Sequence, residues 1–365
     1  MARLPQLLLA AVSALPAFAC SGPGFRPVAP PGPPTRTEGV IFTGGPGPGA
    51  LAACAAEGRW QVSEAVVEHW LYDPETRRGY RPKDGAPRLS LFRETLPFPY
   101  LSWQPSDIQV NQLVYPSGSG FVAQYHLMNH GSEPRACRLF VGVSSAEPVA
   151  REGRSLKAGG RAALVSADEP GGSLEGAPGG GAVLSYDFSI EPGTSRFVHV
   201  TTPDLAGRSP AELLDEAAER WEKKLDGRRL LVPDPELVTA YHADLAGAAL
   251  GVKGCEEALR AVHERIARRE GDALRLLPDA PERWRLGSVH ASAMPTDFGP
   301  LTLRFEGAFS TENYEIGDSC RPPGGFVISV PPRFRAKADG KDLPVRDGTA
   351  RAPAGTKSLE VSRTE

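Results

Sequence analysis

The residues of this chain that could do chemistry are few and scattered. Glu64, Glu68 and His69 fall on one stretch that reads as strand, and an exposed polar face accounts for them. His126 and His130 stand four apart in extended chain, on the same face as Met128. Two imidazoles without a neighbouring carboxylate make a poor metal site. His242 and Asp244 sit two residues apart on a helix and so do not face each other. Asp234, just before Pro235-Glu236, reads as a helix cap rather than an acid. There is no Gly-x-Ser-x-Gly elbow, and no cysteine–histidine pairing follows from spacing. The glycine-rich run at 44–49 lacks the Gly-Lys-Ser/Thr ending of a phosphate loop. The sequence therefore assigns no catalytic residue, no metal and no cofactor. A softer signal comes from Tyr72, Tyr80, Tyr100, Trp103 and Tyr115, which cluster in one β-type region. Exposed Tyr and Trp faces stack on sugar C–H groups, so Tyr72, Tyr100, Trp103 and Tyr115 are the candidate ligand-binding residues. The alternative is that these rings fill a core.

The elements that must position such residues follow from length and pattern. At 365 residues, two domains are the natural expectation. Gly 40 and Pro 36 point to many turns. A formal charge of −3 without a basic block argues against nucleic acid as a partner. Arg260, Arg265, Arg268 and Arg269 are interleaved with Glu256, Glu257, Glu264 and Glu270, which makes a salt-bridged, solvated face.

The N-terminus carries the most specific signal. Arg3, an apolar run Leu7–Leu15 and small residues Ala17 and Ala19 read as a secretory signal peptide over 1–19. Ala17-Phe18-Ala19 satisfies the ordinary cleavage rule. Cys20 followed by Ser21-Gly22 looks instead like a bacterial lipoprotein, lipidated at Cys20 and anchored to the membrane of the cell envelope. Without lipidation the product is periplasmic or secreted. Residues 20–37 are Pro/Gly-rich and form a semi-rigid tether, roughly 50 Å long if extended as polyproline II. Cys54, Cys137, Cys255 and Cys320 remain, an even number in an oxidising compartment. They form two disulfides in one of three pairings, or they stand as four separate buried thiols; spacing does not choose.

Between Arg59 and Pro203 short strands alternate with turns: Ala65–Tyr72, Asp107–Tyr115, Phe121–Met128, Arg138–Val143, Leu184–Ile190 and Arg196–Thr201. Glycines at 169–181 make a loose excursion. Ser209-Pro210-Ala211-Glu212 opens a helix with the stripe Leu213, Leu214, Ala217, Trp221, Leu225. A second helix starts at Asp234 and stops near Gly251, and a third spans 254–270. Leu274–Trp284 is a connector, followed by strands Leu301–Phe305, Phe326–Val330 and Leu359–Val361. The fold class is mainly β with a helical linker, α+β overall. A β-sandwich domain covers 38–206, a helical linker of two to three helices 207–285, and a small C-terminal β-sheet domain 286–365.

Several motifs stand in a familiar order. They are Tyr125-His126-Leu127-Met128-Asn129-His130-Gly131-Ser132, Glu191-Pro192-Gly193, Glu219-Arg220-Trp221-Glu222 and Val232-Pro233-Asp234-Pro235-Glu236-Leu237. Leu276–Trp284, Met294–Leu301 and Pro322–Val327 follow. The order resembles the bacterial six-hairpin (α/α)6 glycosidase-like proteins, with a glucoamylase- or disaccharide-phosphorylase-like layout. That resemblance implies a sandwich, a helical barrel and a C-terminal sheet, with carbohydrate as the substrate class. The barrel of such proteins needs about twelve helices, and Val232–Leu274 has room for two. Inverting cleavage needs an acid and a carboxylate about 6.5–9.5 Å apart, and no residue here matches the family's catalytic motif. The sequence thus implies an exported or lipid-anchored protein derived from a carbohydrate-active enzyme, non-catalytic and binding an oligosaccharide or cell-wall glycan. The alternatives are a working glycoside hydrolase or phosphorylase, and a structural or partner-binding lipoprotein.

Overall fold

The computed structural model describes residues 40–44, 51–55, 57–62, 65–168 and 182–364. The signal peptide, Cys20, the tether, Glu64 and the excursion at 169–181 lie outside the described residues. The chain is mainly β with four helices among the described residues, and it divides into two compact units.

The first unit takes 45–88 and 101–210. One of its sheets runs Leu51–Ala55, Trp60–Val62, Ala65–Asp73, Arg135–Ser144, Ala182–Ile190, all antiparallel. The other contains Val149–Glu152, Ser155–Ala158, Arg161–Ser166, Ser195–Thr201, Gly120–Asn129 and Ile108–Ser117 in spatial order. Period-two alternation builds both. Ala65, Val67, His69 and Leu71 point inward, while Val66, Glu68, Trp70 and Tyr72 are half-buried on the opposite face. Ser117 pairs with Gly120, so the loop between the long strands is two residues, and Gly118 takes the left-handed conformation it requires (φ 56°). The sheets close as a sandwich through side chains. Trp103 Nε1 donates to His69 Nε2 (3.1 Å), and Tyr186 Oη donates to Ser166 Oγ (2.6 Å).

The second unit takes Val40–Gly44, residues 89–100 and everything from Ala211. Its larger sheet runs Arg229–Leu231, Ser288–Met294, Leu301–Gly307, Thr311–Ile316, Ser358–Arg363, Phe334–Ala338, Lys341–Leu343. Its smaller sheet is Ala267–Glu270, Ala273–Leu276, Phe326–Ser329, Thr349–Ala352, Val345–Arg346, with one parallel pairing, Ala273–Leu276 against Phe326–Ser329. Helix α1 (Pro210–Leu225) buries Leu213, Ala217, Trp221 and Leu225, the stripe its spacing foretells. Helix α2 (Pro235–Ala249) is capped by Asp234, whose carboxylate accepts from Leu237 N (3.2 Å).

Two local expectations are corrected. Helix α3 (Cys255–Ile266) stops before 270, because Ala267–Glu270 turns back at Gly271 (φ 63°) and pairs with Ala273–Leu276. Arg268, Arg269 and Glu270 offer no apolar stripe, so continuing the helix would bury nothing. The supposed connector from Leu274 is largely structured. Ala273, Leu274 and Leu276 are buried inside the smaller sheet, and Pro281 opens the short helix α4 (Glu282–Arg285), which buries Trp284 completely.

Candidate functional site

Inside the first sandwich sits a polar cluster that no solvent reaches. Burial lowers His69 to about 3, so the ring is neutral. Its Nε2 accepts from Trp103. The proton therefore sits on Nδ1, which faces the Gly58 backbone without a well-aligned bond. Gly58 (φ 81°) is held here by close approach, since a Cβ would lie 2.8 Å from the imidazole. Around Tyr125 Oη stand Trp60 Nε1 and Gln112 Nε2, all buried and none in a well-formed hydrogen bond. Burial raises the Tyr125 hydroxyl well beyond its ordinary value. A sealed, neutral cluster cannot exchange protons with a substrate. It packs two sheets.

The outer face of the second sheet is different. His126 pairs directly across from Phe197, and their rings stack with centroids 4.2 Å apart and planes 3° from parallel. His199 follows two residues along the same strand, 6.3 Å from Phe197 and 11° from parallel. His126 thus backs one face of the Phe197 ring, and Phe197 remains 48% exposed. Burial keeps His126 below its usual pKa. His199 is fixed from behind: its backbone N–H donates to Asp168 Oδ2 (2.6 Å), with Nδ1 3.5 Å from the same oxygen. Burial pushes the Asp168 carboxyl up, but its bonds to His199 outweigh this and hold it below the ordinary range.

Neutral polar groups border this ring row. Asn111 lies opposite His126, Gln109 opposite Met128 and Gln124 opposite His199. Gln109 Nε2 donates to Ser102 Oγ (2.9 Å) and Asn111 Oδ1 (3.0 Å), and its Oε1 meets His130 Nε2 at 2.6 Å. The positions in phase with His126 and Phe197 on the three strands carry no Asp, Glu, Lys or Arg, while Arg196 is exposed beside Phe197 and Asp168 lies against His199. The arrangement can stack a ring face and exchange neutral hydrogen bonds. Nothing in it activates a nucleophile.

The residues nominated from sequence are dispersed. Trp103 (1% exposed) and Tyr115 (0%) have no face open to a ligand. Trp103 holds His69, and Tyr115 Oη donates to Pro210 O (2.7 Å). Tyr72 and Tyr100 are half-buried. Tyr72 neighbours Trp70, which stacks on Phe140 (5.2 Å) and lies against Gly142, where a Cβ would meet the ring at 3.0 Å. Core filling therefore explains Trp103 and Tyr115. His242 is buried, its Nδ1–H donating to Val238 O (2.9 Å) and its Nε2 accepting from Leu230 N (3.4 Å). The four described cysteines are separate buried thiols, with Cys137 raised by burial to about 12. Sequence reasoning passed over Phe197 and weighed His126 only as a metal ligand. The usable signal was phase: Val198 and Val200 fix the inward face of their strand, which turns Phe197 and His199 outward.

No protein-family profile matches this chain, and no curated protein does. Among solved structures, several match parts of this chain. A bacterial glucoamylase complexed with acarbose is 9% identical, with 60% of this chain and 41% of that chain covered and a TM-score of 0.40. A putative kojibiose phosphorylase from human microbiome is 6% identical, with 60% and 34% covered and a TM-score of 0.32. A polysaccharide lyase is 11% identical, with 90% and 43% covered and a TM-score of 0.28. This chain spans less than half the length of each.

Proposed function

We propose that this is an exported envelope protein, anchored through lipidated Cys20, whose first sandwich binds a neutral saccharide without cleaving it. The observation that carries the reading is Phe197, half exposed on a sheet face, with His126 stacked behind it. A ring supported on one side presents its other side to the apolar face of a sugar at little entropic cost. The bordering amides of Gln109, Asn111 and Gln124 suit hydroxyl groups. The ordered motifs that resemble six-hairpin glycosidase-like proteins point to the same class of ligand.

Titration calorimetry with neutral oligosaccharides, starting with glucans and mannans, tests the proposal. Phe197→Ala should weaken binding about tenfold or more, in line with ~1.5 kcal/mol for a stacked ring, with the melting temperature unchanged. No heat from any neutral sugar, or equal affinity in the variant, sinks the reading. Turnover of the same sugars would overturn its non-catalytic part.

A further inference from the structure

The second unit carries a surface of another kind. Phe309, 87% exposed, tips the turn between Leu301–Gly307 and Thr311–Ile316. The turn is pinned on every side. Ala308 N donates to Thr311 O (2.7 Å), Gly307 N to Gly287 O (2.8 Å), and Arg363 N to Ser310 O (3.0 Å). Gly307 is obligatory, because a Cβ there would collide with Arg285 O at 1.8 Å. Leu286, 43% exposed, sits beside this junction. The same end of the sheet holds Arg363 and Arg333, since Thr364 N, next after Arg363, donates to Arg333 O (2.8 Å). Both arginines are exposed, and neither makes an ion pair among the described residues. Two described acids of this sheet are occupied. Glu312 is buried against Arg285 and Tyr314, and Glu306 pairs with Arg304.

We propose that this end of the second unit docks on an anionic lipid surface, Phe309 entering the headgroup region and Arg333 and Arg363 meeting the phosphates. A bulky ring on a fixed turn, with two exposed arginines on the adjoining backbone, has the chemistry of an interfacial anchor. Each arginine near such a surface adds modest, salt-sensitive attraction. An acyl group on Cys20, the part of the proposed function on which this point rests, would bring a bilayer within reach of the chain. The inference is independent of the sugar reading, which concerns the other unit.

Vesicle sedimentation tests it on the chain starting at Ser21, which carries no acyl group. The chain should sediment with mixed phosphatidylglycerol–phosphatidylcholine vesicles, weakly with pure phosphatidylcholine, and less as salt rises. Phe309→Ser should lower the partition coefficient about tenfold, and the double variant Arg333→Gln/Arg363→Gln should lower it by a similar factor on the anionic vesicles only. Circular dichroism checks that each variant is folded. Absence of sedimentation with anionic vesicles, or an undiminished partition of Phe309→Ser, overturns the proposal. So does retention on heparin without vesicle binding, which would assign the face to an acidic polymer.

Discussion

The two units bury titratable groups in opposite ways. The first encloses His69 as a neutral ring with one formed hydrogen bond, beside Trp60, Gln112 and Tyr125, whose polar atoms meet without good geometry. The second encloses a carboxylate, Glu312, 6% exposed, and saturates it: Arg285 Nη1 reaches Oε1 (2.9 Å) and Tyr314 Oη donates to Oε2 (2.9 Å). A neutral ring tolerates loose partners, because losing one costs a single neutral bond. A buried charge does not, because an orphaned carboxylate retains its whole desolvation cost. The first core is thus tuned by shape and the second by connectivity.

The contrast breaks or sharpens under four single substitutions and one triple change. Arg285→Met should be the most damaging, at about 3 kcal/mol or more in urea unfolding, since it strands Glu312. The triple change Arg285→Met/Glu312→Leu/Tyr314→Phe should recover most of that loss. A cost below ~1 kcal/mol for the single change would show that Glu312 does not depend on its partner. Acid comes next. Unfolded chain protonates His69 near the ordinary value of 6.5, folded chain only near 3, so the native state binds fewer protons between these limits. Stability contributed by the neutral ring is complete above pH 6.5 and falls by about 1.4 kcal/mol per pH unit below it. His263, lowered by burial to about 4, adds a similar slope in the second unit. His69→Phe should flatten part of this acid limb, measured by urea unfolding at pH 7 and 5; an unchanged slope would exclude His69 as its source. Tyr314→Phe should cost about 2 kcal/mol, the worth of a bond to a charged group. Tyr125→Phe, which removes a hydroxyl with no well-formed bond, should cost least, below ~0.5 kcal/mol. If Tyr125→Phe proved the costlier of the two, the first core would be the more tightly connected one.

How much of this was legible depended on whether local pattern or long-range packing decides a feature. Strands 108–117, 120–129 and 182–190 were readable because their turn residues and alternation act locally. The stripe of α1 and the cap at Asp234 were readable for the same reason. Strand Leu96–Trp103 was hidden by Pro97 and Pro99, which interrupt a propensity reading. Strand Ala267–Glu270 was hidden because its partner, not its composition, makes it a strand. At the site, aromatic count drew attention to Trp103 and Tyr115, yet depth within the fold assigns them to packing. Phe197 is an ordinary residue in the sequence; only its cross-strand neighbour His126, 71 positions away in the register, makes it a platform.

The path of the chain carries a last consequence. It passes between the units after Gly44, Arg88, Tyr100 and Pro210. No single cut yields two whole pieces: a fragment ending at 210 keeps the strand Val40–Gly44 and the hairpin segment 89–100, and a fragment starting at 211 lacks them. Neither unit is therefore encoded by one continuous stretch of the sequence.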